Sequence, residues 1–108
     1  MKKMDKMRRI NSKFRKFFEE DGWLVYINHH TRWNKDIFGL FDGFMVKENK
    51  SKLIKHPVVF FQLKANKFPV FKDYKEFSGK YGVLILLAKW VDRKGFDFRI
   101  IKDGEVCS

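Results

Sequence analysis

Two apolar runs, VVFFQLKA at 58–65 and VLILLAKW at 83–90, limit this chain's folding choices more than any other feature. Each is apolar on both faces over most of its length, as in a central strand of a sheet covered from both sides. Between them, from Pro69 to Lys80, the spacing of Phe71, Tyr74, Phe77 and Tyr81 predicts a helix, and Gly82 is placed to end it. A helix joining two strands of one sheet makes them parallel neighbours through a right-handed crossover, so an α/β fold follows.

The remaining segments fit around that unit. From Lys6 to Glu20, Met7, Ile10, Phe14, Phe17 and Phe18 recur at helical steps, while Arg8, Arg9, Lys13, Arg15 and Lys16 mark the opposite face. Gly22 stops this helix, and Trp23–Asn28 has the β-branched and aromatic content of a strand. His29–Lys35 is turn-like. Ile37–Val46 reads as a second strand with Phe38, Leu40, Asp42, Phe44 and Val46 on one side, and a lysine-rich connection, Lys47–Lys55, returns the chain antiparallel. Gly95 turns into a last strand, Phe96–Lys102. The predicted order is α-β-β-β-α-β-β: one domain over 1–108, with a mixed sheet flanked by helices.

At 108 residues the chain supports one modest core. Its net charge of +11 points to a polyanionic partner such as nucleic acid. The single cysteine, Cys107, excludes an internal disulfide framework or a Cys-type zinc site and predicts a reducing, intracellular (cytoplasmic) setting. The basic start MKKMDKMRR is not followed by an apolar segment, and VLILLA is too short to span a bilayer, so no membrane association is expected.

Chemistry concentrates at three positions. Asp42 lies within GLFDGFMV, and Gln62 and Lys64 leave the same face of VVFFQLKA. A carboxylate, an amide oxygen and an ammonium inside apolar strands need compensation. A carboxylate with an amide oxygen suits a hard cation such as magnesium or manganese, which retains waters and completes its shell with phosphate oxygens. Lys64 would orient a water or neutralise charge developing on a phosphate. The competing readings are structural. Asp42 can be a satisfied aspartate at a bend made by Gly39 and Gly43, Asp36 shares its strand parity, and Lys64 can snorkel from a strand end. His29, His30 and His56 lack zinc-ligand spacing and read as surface or loop residues. Trp33, Tyr74 and Trp90 are core aromatics or base-stacking platforms.

Over roughly Lys6 to Trp90, the segment DIFGLFDGFMV followed by QLK resembles the PD-(D/E)xK nuclease superfamily, which includes Holliday junction resolvases, and in particular its VRR-NUC-type members with a QxK element. The resemblance implies a restriction-endonuclease-like αβββαβ core and a magnesium- or manganese-dependent endodeoxyribonuclease acting on branched, junction or flap DNA in recombination or repair. Asp42, Gln62 and the backbone carbonyl of Leu63 would hold the metal, with Lys64 managing the attacking water. Many such nucleases place a metal-linked glutamate in the first helix. Here Asn11–Lys13 stand at the corresponding positions, so Glu19 and Glu20, the only glutamates of that helix, take the assignment. Arg8, Arg9, Lys13, Lys67, Lys72 and Lys75 would hold the DNA backbone, and a homodimer is expected, with VLILLAKWV and the nearby Phe96 and Phe98 as its surface. The rival readings are a non-catalytic nucleic-acid-binding domain on a degenerate nuclease fold and a basic partner-binding protein.

Overall fold

The computed structural model describes residues 3–28, 36–48 and 58–107. The readings of His29, His30, Trp33 and His56, and of most of the lysine-rich connection, lie outside the described residues.

The fold is α/β, with two helices and a mixed six-stranded sheet. Helix α1 (Lys3–Glu20) leads through Asp21 and a left-handed Gly22 (φ 91°) into β1 (Trp23–Ile27). Then come β2 (Gly43–Lys47), β3 (Val58–Ala65), α2 (Lys72–Tyr81), β4 (Leu84–Val91), β5 (Gly95–Lys102) and β6 (Glu105–Val106). The strands lie side by side in chain order, and only β3 and β4 run parallel. The crossover through α2 imposes that exception.

Strand alternation sorts the core into two layers. Val59, Phe61 and Leu63 of β3 join Val25, Ile27, Met45, Leu86 and Ala88 under Phe14 of α1. The opposite face carries Ile85, Leu87 and Ile101 under Tyr74 of α2, with Phe60 packed against them. Helix α2 ends where its sequence requires: Gly82 adopts the left-handed conformation (φ 68°), and its N–H donates to the Ser78 carbonyl.

Four expectations are corrected. The continuous strand Ile37–Val46 does not form. The chain folds back as a tight turn with Phe38 and Gly39 left-handed (φ 54° and 72°), Ile37 bridges to Phe41, and pairing starts only at Gly43. Helix α2 begins at Lys72, because Pro69 to Phe71 serve as its approach. Asp103 and Gly104 (φ 52° and 82°) turn β5 into β6, a hairpin marked in the sequence only by its Asp-Gly pair. Finally, β4 is an inner strand with Ile85, Leu86, Leu87 and Ala88 buried, and Phe96 and Phe98 pack against the α1 layer, so these side chains, expected at a surface, are spent on the core. Among the described residues, no helix is long and apolar enough to cross a membrane.

Candidate functional site

The buried polar side chains among the described residues are Asn28, Asp42, Gln62 and Ser78, and the first three converge where β2 parts from β3. The last pair of that ladder is Gly43 with Phe61, and Asp42 also meets Phe61, at the end of the ladder. Asp42 is held by its backbone on both sides. Its N–H donates to the Phe61 carbonyl (2.9 Å), and its carbonyl accepts the Asn28 N–H (2.7 Å). The Asp42 carboxylate then takes the place of a strand carbonyl, accepting the Leu63 N–H at 2.7 Å. The N–H and C=O of one strand residue point to the same side, so the Leu63 carbonyl also faces the Asp42 side, beyond the end of the ladder.

Gln62 is 7% exposed, and its Oε1 is buried without a hydrogen-bond partner among the described residues. Such an orphan costs about 1–3 kcal/mol. A strand-terminating aspartate accounts for the Leu63 contact alone; it does not account for a buried amide oxygen beside a carboxylate. Lys64 is half-buried on the same face, one turn of the pleat further along β3.

The local field is negative within a chain of net charge +11. The Tyr74 phenol, which donates to the Leu40 carbonyl at 2.8 Å, has its pKa pushed up to about 12, first by burial and then by the charges of Asp42, Asp36 and Asp73. A cation suits this place, and the available donors are hard oxygens: one carboxylate, an amide oxygen and a backbone carbonyl. Among the described residues there is no group of three or more Asp, Glu, His or Cys side chains able to hold a metal. The donor set is therefore mostly neutral.

The structure brings the Asp42 carboxylate to the backbone of Leu63, whose neighbours on β3 are Gln62 and Lys64, and leaves Glu19 and Glu20 at the far end of α1. Both glutamates are exposed at the end of α1, where Glu19 pairs with Arg15 at 3.6 Å. The chain passes from there into Trp23, opposite Lys47, whereas Asp42 adjoins the other end of β1, opposite Ile27. Four strand residues, roughly 13 Å, separate the two ends. Among the predicted phosphate-holding residues, Arg8, Arg9 and Lys13 are exposed on α1, with Lys13 lying over the Trp90 ring (5.3 Å), and Lys67 is exposed just past β3. Lys72 and Lys75 stand on the other face of the sheet, around a hollow lined also by Gly104 of the β5–β6 turn. Tyr74 is a core residue, and Trp90 packs edge-on to Phe96 at 5.0 Å, so Tyr74 cannot stack on a base and the Trp90 ring is occupied.

Two features escaped the sequence reading. Asn28 joins the site just past the end of β1, and no spacing rule marks it. Phe41 is buried against Phe60, Tyr74 and Phe77, because the left-handed turn reverses the alternation that placed Phe38 inward.

No protein-family model matches the chain, and no curated protein matches its sequence.

Proposed function

We propose that this protein is a small magnesium-dependent nuclease of the PD-(D/E)xK type that hydrolyses phosphodiester bonds in DNA. The observation carrying this reading is the orphaned, buried Oε1 of Gln62 beside the Asp42 carboxylate, a donor arrangement that a divalent cation satisfies and the protein interior does not. The cation would be held by Asp42, Gln62 and the Leu63 carbonyl. When bound, it supplies charge neutralisation at the phosphate and lowers the pKa of water.

The chain's own residues do the rest. The Leu63 N–H fixes the orientation of the Asp42 carboxylate, and β3 carries Gln62 and Lys64 on one face as a rigid unit. Lys64 brings an ammonium to the phosphate, where it orients the entering water and neutralises the charge gathering on the phosphate oxygens as one P–O ester bond breaks. The leaving oxygen takes up a proton. Lys67, and on the α2 side that carries Gln62 and Lys64 the exposed Lys72 and Lys75, hold neighbouring phosphates with no preference for base sequence. Branched or flapped DNA, read by shape by two copies of the chain, is the substrate class we propose.

A second reading is favoured by the neutral Gln62 and the distance of Glu19 and Glu20 from Asp42: a DNA-binding domain that holds the backbone and cuts nothing. Incubation of labelled branched, nicked and single-stranded DNA with magnesium or manganese separates the two. Cleavage by the wild type that is lost in Asp42→Asn and Lys64→Ala supports the nuclease. Tight, salt-sensitive binding with no cut substrate supports the second reading.

A further inference from the structure

The register across the sheet extends the Gln62–Lys64 face into a neighbouring cluster on β4 and β5, whose Lys89, Asp97 and Arg99 have no part in the proposed metal site. Gln62 lies opposite Leu87, and Leu87 opposite Arg99; one row on, Lys64 lies opposite Lys89, and Lys89 opposite Asp97. All six alternate to the α2 side of the sheet. Lys64 and Lys89 are thus like charges on directly paired strands, an arrangement that repels unless a counter-charge is supplied.

The protein supplies only part of one. Among the described residues, Asp97 reaches both Arg99 at 2.7 Å and Lys89 at 3.6 Å, so one carboxylate serves two cations. Lys89 and Arg99 are also immobilised over one ring, lying 4.7 and 4.8 Å from the centre of Phe68. The Lys89 and Arg99 side chains are 23% and 36% exposed, so their heads are held in place and remain reachable from solvent. A shared ring limits where the two cationic heads can go, and fixed cations lose less entropy when a phosphate binds between them.

We infer that Lys89 and Arg99, held over Phe68 beside Lys64, form a binding subsite for a backbone phosphate of the bound nucleic acid strand. The inference rests on the reading of the substrate as a nucleic acid and identifies which phosphate contacts lie beside the reacting one. Lys89 is paired directly with Lys64, one strand spacing or roughly 5 Å away, so the subsite adjoins the end of β3 that carries Gln62 and Lys64. Asp97 keeps the two cations apart and in position until the phosphate arrives.

The test is the affinity of a fluorescently labelled DNA duplex, measured by anisotropy in EDTA over a range of salt concentrations. The double variant Lys89→Gln/Arg99→Gln is expected to bind at least tenfold more weakly and to lower the slope of log affinity against log salt by about 2, since each lost phosphate contact removes about 0.9. Lys102→Gln, on the same strand but the opposite face, should change the slope by less than half as much. Asp97→Asn should tighten binding severalfold. Unchanged slope and affinity in the double variant, or a loss no larger than that of Lys102→Gln, overturns the proposal. Should the double variant fail to fold, Asp97→Asn decides, and equal or weaker binding overturns the proposal. Because the assay contains no divalent metal, its outcome is independent of cleavage. DNA binding through this cluster by a wild type that cuts nothing removes the hydrolase and keeps the subsite, whereas cleavage unaffected by the double variant does the reverse.

Discussion

Gly43 passes so close to Tyr26 that a Cβ placed on it would lie 2.0 Å from the Tyr26 carbonyl oxygen and 2.7 Å from the Phe61 ring. The absence of a side chain at this position is what lets β1, β2 and β3 close together immediately beside Asp42. Backbone and a core ring crowd the position, so neither neighbour can yield cheaply. Gly43→Ala is therefore expected to cost about 1–3 kcal/mol or more and to lower the melting temperature by several degrees. Thermal unfolding followed by circular dichroism checks this, and an unchanged midpoint would show that the strands are less tightly drawn together.

Asp42 has two separable duties, orienting the Leu63 amide and carrying charge. Asp42→Asn retains an acceptor for the Leu63 N–H, so its stability should stay within about 1 kcal/mol of wild type while DNA cleavage is lost. Asp42→Ala leaves that N–H without its partner and should cost a further 1–3 kcal/mol or so. Urea unfolding of the pair, run beside the cleavage assay, tests the division. Equal stability in both variants would mean that the Leu63 contact contributes little.

Gln62 is held in the core at the expense of stability. Gln62→Met keeps the volume and removes the orphaned oxygen, so it is expected to raise stability by about 1 kcal/mol while abolishing activity. Gln62→Glu supplies a second carboxylate and should bind manganese more tightly than wild type. Calorimetric titration with manganese reads the second effect and a thermal melt the first.

Tyr74 makes alkaline stability measurable at one residue. Its folded pKa is about 12 against an ordinary 10.0, with burial and the carboxylates of Asp42 and Asp36 holding the phenol neutral. The unfolded chain ionises first as pH rises, so the stability tied to Tyr74 is intact below pH 10 and is lost between 10 and 12. Absorbance titration of the folded protein should show a phenolate component near 12 that disappears in Tyr74→Phe. A Tyr74→Phe titration identical to wild type would contradict the negative field inferred around Asp42.

Much of this architecture was readable from residue spacing, because the periodicities of α1, β3 and β4 are each carried by several large apolar residues, and Gly22 and Gly82 stand at real left-handed turns. The segment 36–42 was not. Its apolar residues alternate well enough to pass for a strand, yet Phe38 adopts a left-handed conformation that a bulky side chain seldom takes, and this shifts the phase so that Phe41 is buried and Phe38 is 69% exposed. The approach of Asp42 to β3 was foreseeable from an antiparallel return; its bond to the Leu63 N–H was not. The part played by Asn28 and the exclusion of Glu19 and Glu20 depend on which end of β1 each adjoins, which only the sheet register reveals.

Anomalous diffraction from crystals soaked in manganese tests the metal site most directly. The account predicts a single-ion peak within coordination distance of the Asp42 carboxylate and the Gln62 amide oxygen, with the Leu63 carbonyl beside it, and no such peak in Asp42→Asn. Manganese bound elsewhere, or a pocket still empty at concentrations that support cleavage, would contradict it.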